Sequence, residues 1–92
     1  MSEYMEIETE LSDDGLDIRF YTNLRLIDGE PESYESTTEM EEGSPVAQTL
    51  ALIDGIAHLH LDKHEITITR TTDAAWHAIE ADVIAALKDF FI

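Results

Sequence analysis

The stretch between residues 43 and 70 constrains the fold of this chain more than any other part of it. Ser44 and Pro45 predict the start of a helix, because a serine hydroxyl can accept an unpaired backbone N–H and a proline at the first helical position forfeits no hydrogen bond. Apolar residues then recur at helical spacing as far as Gly55, which we expect to end the helix. The segment therefore predicts one short helix suited to packing on a sheet.

Two strands follow this helix in the same stretch. Residues 56–61 and 65–70 alternate apolar and polar side chains, which is the period-two pattern of a strand with one buried face. Asp62 and Lys63 lie between the two runs and predict a tight turn. Together these residues predict an antiparallel hairpin.

The first third of the chain predicts a second hairpin. Residues 5–11 alternate apolar residues or threonine with glutamate, so we expect Met5, Ile7, Thr9 and Leu11 to share a buried face. A turn over residues 12–15 and a second alternating run over residues 16–21 follow. The two runs are expected to pair antiparallel.

The segment between the two hairpins is less regular. The apolar phase continues through Leu24 and Leu26, so the second strand is either long or bends near Asn23. Residues 28–33 predict a turn or loop because they contain Asp, Gly and Pro. Residues 34–40 alternate only weakly and predict at most an edge strand.

The end of the chain predicts a longer helix. Thr72 or Asp73 is expected to cap it. We expect Phe91 and Ile92 either to close the domain or to stay partly exposed. The apolar residues of this segment recur at helical spacing and form the expected buried stripe: Trp76, Ile79, Val83, Leu87 and Phe90.

These elements predict one α+β domain over residues 1–92. We expect an antiparallel sheet of four or five strands with two helices on one face, in the order β-β-(β)-α-β-β-α. A chain of 92 residues with 43% hydrophobic residues can bury one core. No second domain is expected.

The charge of the chain limits the partners that we expect. The sequence contains twenty-one acidic and five basic residues, and its formal net charge is −16. This charge repels nucleic acids and anionic membranes and favours cations or basic proteins. It is also typical of proteins that stay soluble in high salt, where screening weakens self-repulsion.

The start of the chain shows no signal-peptide pattern and no apolar run approaches membrane-spanning length, so we expect a cytoplasmic protein.

The hairpin carries the residues that could hold a metal ion. His58, His60 and His64 lie close in sequence to Asp62 and Glu65, and imidazole suits zinc, copper or nickel. The alternative is a polar strand face next to a turn. A small histidine-based metal-binding protein is thus one interpretation of this segment.

A row of glutamates gives a second candidate surface. Glu6, Glu8 and Glu10 fall on one face of the first predicted strand, where they would form either a docking face for a basic partner or a solvated edge. With His58 and His60 they are the residues we expect to contact a partner. No paired carboxylates in a predicted pocket, activated nucleophile or glycine-rich phosphate loop indicates an enzyme or a cofactor.

About half of the chain resembles the N-terminal domain of Nfu/NifU-type scaffold proteins. The family pattern has a glycine-serine-proline helix start, an acidic-glycine helix end, an Ile-Thr strand, a tryptophan and a closing helix with paired aromatics. The matching residues occur in the family order: 42–47, Leu50, 53–56, 66–70, Trp76 and 83–91. The hairpin departs from the family, because His58, His60 and Asp62 stand where the family has aromatic residues or glycine.

The resemblance implies a stand-alone domain without cluster chemistry of its own. In the family, the iron–sulfur cluster belongs to a separate domain with a Cys-x-x-Cys pair, whereas this sequence contains no cysteine. We therefore expect a non-enzymatic interaction module, without a cofactor, that binds iron–sulfur assembly or client proteins. Two alternatives remain: the metal-binding protein described above, and an acidic mimic that binds basic nucleic-acid-binding proteins.

Overall fold

A computed structural model describes residues 6–71 and 74–91 of the chain. The predicted strand position Met5, the predicted caps Thr72 and Asp73, and Ile92 lie outside the described residues. The elements run in this order: β1 (Ile7–Leu11), β2 (Asp17–Thr22), β3 (Glu32–Tyr34), α1 (Thr37–Glu41), α2 (Pro45–Leu50), β4 (Ile56–Leu61), β5 (Glu65–Arg70) and α3 (Trp76–Phe91).

In the described part of the chain, five strands form one antiparallel sheet in the order β1-β2-β5-β4-β3. The predicted α+β class is thereby confirmed. Both predicted hairpins form, and the strands over 56–61 and 65–70 begin and end where the alternation predicts. The later hairpin is closed by a hydrogen bond from the Asp62 N–H to the Glu65 carbonyl, at 2.8 Å.

The register places the apolar residues of the central strands on one face. Ile18 lies opposite Ile68, and Phe20 lies opposite Ile66. Buried residues of β4 and of the three described helices join them in one core, so the helices cover a single face of the sheet. The core consists of these side chains: Ile18, Phe20, Leu26, Ile27, Met40, Val46, Ala47, Leu50, Ile53, Ile56, Leu59, Leu61, Ile66, Ile68, Ile79, Val83 and Leu87.

The region predicted as a loop and an edge strand contains β3 and an additional helix. Strand β3 covers Glu32–Tyr34, and the predicted strand does not continue over residues 35–40, because α1 occupies Thr37–Glu41. The Ser36 hydroxyl accepts the Glu39 N–H at 3.2 Å, and the Glu39 carboxylate accepts the Glu35 N–H at 3.3 Å. Ser-x-x-Glu is a helix-start signature, so the signal was present in the sequence. Met40, which is fully buried, anchors this helix.

Helix α2 ends five residues before the predicted glycine. The helix stops at Leu50, and Ala51 caps it. The Ile53 N–H then bonds to the Leu50 carbonyl at 3.1 Å, and Gly55 adopts a φ of 96° where the chain turns into β4. Leu52 lies in this segment after the helix and is 83% exposed.

The expected buried face of β1 forms only in part. Thr9 and Leu11 are exposed and Ile7 is half-buried. The reason is topological, because β1 is an edge strand and the buried residues of the sheet begin with β2.

The buried stripe of α3 differs from the predicted one at its end. Ile79, Val83 and Leu87 are buried, whereas Phe90 is 42% exposed. Phe91 packs against the core instead, since it continues the strict four-residue spacing that starts at Ile79. The expected burial of Phe90 is therefore wrong.

The ambiguity after β2 is resolved as a bend. The strand ends at Thr22, and no strand is formed by residues 23–27. The Leu26 N–H donates to the Lys63 carbonyl at 2.7 Å, and the Thr22 N–H donates to the His64 carbonyl at 2.9 Å. This segment therefore runs beside the later hairpin and delivers Leu26 to the core.

Candidate functional site

The sheet face opposite the helices is polar and carries residues from all five strands. We call it the outer face. The strand register brings its members together from all five strands: Glu8, Glu10, Asp17, Arg19, Tyr21, Ser33, His58, His60, Glu65, Thr67 and Thr69. None of these side chains is buried, so the whole face is accessible to a partner.

Arg19 lies on the outer face between two carboxylates. Its Nη1 lies 3.8 Å from Glu10 Oε1, and its Nε lies 3.8 Å from Glu65 Oε1. A hydrogen bond and charge interaction with Tyr21, followed by the charges of Glu65 and Glu10, raise the pKa of Arg19 above its ordinary value. Such long, exposed ion pairs add little stability. The remaining carboxylates keep the face acidic.

The three predicted glutamates lie together at the β1 edge of this face. Glu8 and Glu10 pair across the ladder with Tyr21 and Arg19. Glu6 precedes the strand, where its N–H donates to the Asn23 side chain at 2.8 Å. Glu6, Glu8 and Tyr21 line one open depression. The edge thus presents a row of carboxylates.

His58 and His60 lie on the same face but at some distance from the glutamates. They are on β4, and β2 and β5 separate that strand from β1. Three strand spacings correspond to about 14 Å. The five residues predicted to bind a partner therefore form two groups on one side of the domain rather than one cluster.

The structure does not bring the three histidines of the hairpin together. His60 Nδ1 lies 2.7 Å from Ser33 Oγ, whereas His64 Nδ1 lies 3.0 Å from the Leu24 carbonyl oxygen. Within residues 6–71 and 74–91, no group of three or more histidines and carboxylates is arranged to hold a metal ion. The metal-binding interpretation has no preformed site in that part of the chain.

Trp76, which the sequence places in the buried stripe of the last helix, is half-buried against the core. Its indole N–H donates to the Gly15 carbonyl at 2.6 Å, and Arg70 Nε donates to the same oxygen at 3.0 Å. The Arg70 guanidinium lies 5.6 Å from the Trp76 ring centroid and also donates to the Ala74 carbonyl at 2.7 Å. These contacts fix the start of α3 against the β1–β2 turn.

A groove on the helical side is a feature that the sequence reasoning missed. It lies between α3 and the end of α2, and the open cavity has a volume of about 540 Å³. Two of its walls are the exposed side chains of Leu52 and Phe90. Its lining residues are Thr49, Leu52, Ile53, Asp82, Ala86, Asp89 and Phe90.

No described helix combines the length and the apolar character that crossing a bilayer requires.

Comparison with known proteins gives a consistent set of relatives. The family model for the N terminal of scaffold protein Nfu/NifU matches residues 7–92. NifU-like protein 4, mitochondrial, from Arabidopsis thaliana is 31% identical over 49 residues, which is 53% of this chain. The aligned part is only 17% of that relative's length.

Two solved structures share the fold. The solution NMR structure of a NifU-like protein from Saccharomyces cerevisiae matches with a TM-score of 0.77 at 18% identity, over 97% of this chain and 82% of that one. A crystal structure of a Staphylococcus aureus protein matches with a TM-score of 0.72 at 11% identity, over 89% and 98% of the two chains.

Proposed function

Since this chain belongs to the family of Nfu/NifU scaffold-protein N-terminal domains, we propose that it is a non-enzymatic module that binds a basic surface of a partner protein. The contact would use the outer face of the sheet. The family relation suggests the class of partner, namely a component or a client of iron–sulfur cluster assembly.

The observation that carries the proposal is an uncovered and acidic sheet face. Glu8, Glu10, Asp17 and Glu65 stand on the outer face with one arginine. Sheets usually keep one face wet, so openness alone does not indicate binding. A face dominated by one sign of charge, in a chain of formal net charge −16, speeds association with a basic protein and orients it.

A role as a carrier of the cluster itself does not fit this chain. Iron–sulfur clusters are held by cysteine thiolates in nearly all proteins, and this sequence contains none. The proposal therefore assigns the domain to recognition of proteins and derives no chemical step through a cluster.

The test measures binding to purified iron–sulfur assembly and client proteins at about 50 and 200 mM salt. We expect the double variant E8K/E10K to weaken binding at least tenfold, because it reverses two charges of the proposed contact. The control is E41K/E42K, which makes the same charge change on exposed residues at the end of α1. It is expected to bind within about twofold of the unaltered protein.

Two results would contradict the proposal. One is the absence of binding to every assembly and client protein tested. The other is an equal loss of affinity in E8K/E10K and E41K/E42K, which would indicate attraction by net charge alone. Binding to nucleic-acid-binding proteins that is displaced by DNA would instead support the acidic-mimic alternative.

A further inference from the structure

Helix α3 presents a second apolar surface besides the one that faces the core. Ile79, Val83 and Leu87 are buried, whereas Ala86 and Phe90 are one helical turn apart and face the groove beside α2. Asp82 and Asp89 lie on the same side. Since residues four and seven apart share a helix face, these four positions form one continuous wall.

The opposite wall comes from the segment where α2 ends early. Thr49 belongs to the last turn of that helix, and Leu52 and Ile53 follow its cap. Leu52 is 83% exposed and Phe90 is 42% exposed. A single exposed leucine is ordinary. Here two large apolar side chains, Leu52 and Phe90, line one open groove together and could contact the same ligand.

The Phe90 side chain, which lines the groove, is supported by its neighbour Phe91. The Phe90 and Phe91 rings make an edge-to-face contact with centroids 4.8 Å apart. Phe91 packs against the core, so the Phe90 ring rests on a supported neighbour. An anchor that is already positioned loses less entropy when a ligand covers it.

The charge of the groove selects among possible occupants. Asp82 and Asp89 place two carboxylates beside the apolar side chains of the groove. A second copy of this chain would bring four such carboxylates together between two molecules of formal net charge −16, and like charges at an interface are unfavourable. A ligand with apolar residues along one side and cations beside them satisfies both features.

We propose that the groove between α2 and α3 binds a basic amphipathic helix of a partner protein. Helices that dock in grooves insert apolar residues spaced i, i+4 and i+7, and lysines or arginines next to them would meet Asp82 and Asp89. The groove lies on the side of the sheet opposite the outer face. The inference is therefore independent of the function proposed above.

The probe is a synthetic helical peptide with leucines at i, i+4 and i+7 and lysines beside them, titrated into isotope-labelled protein and followed by NMR. We expect saturable shifts at residues 49–53 and 82–90. The variant L52S should weaken binding at least fivefold. The matched control L11S alters another exposed leucine, 52% accessible and on β1, and should leave the affinity unchanged.

Two further measurements distinguish binding in the groove from general charge attraction. A peptide with serines in place of the leucines keeps the same charge and should bind at least fivefold more weakly. The variant D82N/D89N should weaken binding and reduce its dependence on salt. Circular dichroism of each variant checks that the fold is retained.

Several results would overturn the inference. Equal binding of the serine peptide, shifts confined to the outer face, or no saturation up to millimolar peptide would each do so. Concentration-dependent dimerisation that L52S abolishes would identify a second copy as the occupant instead. Failure of E8K/E10K in the earlier test would leave this result unaffected, because the two surfaces are altered separately.

Discussion

Replacement of Gly43 by alanine should destabilise the domain through one neighbouring ring. A methyl group at this position would lie 2.6 Å from Tyr34 Cε1 and closer still to the hydroxyl oxygen. The backbone at Gly43 is not in the left-handed region, so an alanine is not strained there by φ. The whole penalty comes from displacing Tyr34.

The displacement breaks two hydrogen bonds at the junction of α1 and α2. The Tyr34 hydroxyl donates to the Glu32 carboxylate and accepts the Ser44 N–H at 3.3 Å. Each bond contributes about 1 kcal/mol, and crowding of a packed ring costs about 1–3 kcal/mol. Alanine regains about 0.4–1 kcal/mol by restricting the unfolded chain. The net loss is therefore about 2–4.5 kcal/mol.

The assay is thermal and urea unfolding followed by circular dichroism. A loss of about 2 kcal/mol, the lower end of this range, lowers the melting temperature of a domain of this size by about 8–16 °C, and a larger loss lowers it further. The control is G29A, because nothing lies within 4 Å of a methyl group there; its free energy of unfolding should change by less than about 0.5 kcal/mol.

A double-mutant cycle with Y34A decides whether the reasoning holds. Without the ring, G43A should be neutral or slightly stabilising, which gives a coupling energy of at least about 2 kcal/mol. If G43A is as destabilising in the Y34A background as in the unaltered protein, or as mild as G29A, contact with Tyr34 is not the cause.

Three further predictions concern other parts of the molecule. W76F removes the hydrogen bond to the Gly15 carbonyl and should lower the free energy of unfolding by about 1–2 kcal/mol in urea titrations. Hydrogen bonds, first from the Ser12 hydroxyl and then from the Leu16 N–H, lower the pKa of Asp14. The resulting stabilisation is present above the unfolded-state pKa and is lost as pH falls through the native pKa, so D14N should lose less stability below about pH 4; equal acid sensitivity would contradict this. The melting temperature should rise between about 0.1 and 1 M salt, because screening weakens repulsion within the chain, and a constant melting temperature would exclude the high-salt interpretation of its composition.

The elements that the sequence predicts best are those with strong local signals. The alternation is regular over residues 58–61 and 65–70, and a register shift between Ile56 and His58 interrupts it only at the start of β4. Ser44 caps α2 as its type predicts, with its side chain 3.5 Å from the Ala47 N–H. Strand β3 has only three residues and exists because it pairs with β4. No local pattern can indicate a ladder that depends on a partner 25 or more positions away.

The candidate surfaces also have parts that local sequence patterns predict and parts that depend on distant contacts. Alternation places Glu8 and Glu10 on one side of β1 and His58 and His60 on one side of β4. Only the register shows that both pairs share the outer face. The groove was not predictable, because it depends on the early end of α2 and on the rotation of α3 that exposes Phe90.

The residues that identify the family mainly hold the fold, and this limits what membership says about binding. Gly43 makes room for Tyr34, and Arg70 and Trp76 tie α3 to the first turn. Substitution of these residues would disturb the packing of this domain, whatever it binds. The outer face and the α2–α3 groove are exposed and face no such packing requirement. Substitutions at surface positions such as Glu8 and Leu52 should therefore alter the proposed binding while the domain stays folded, whereas substitutions at Gly43 or Trp76 should lower its stability.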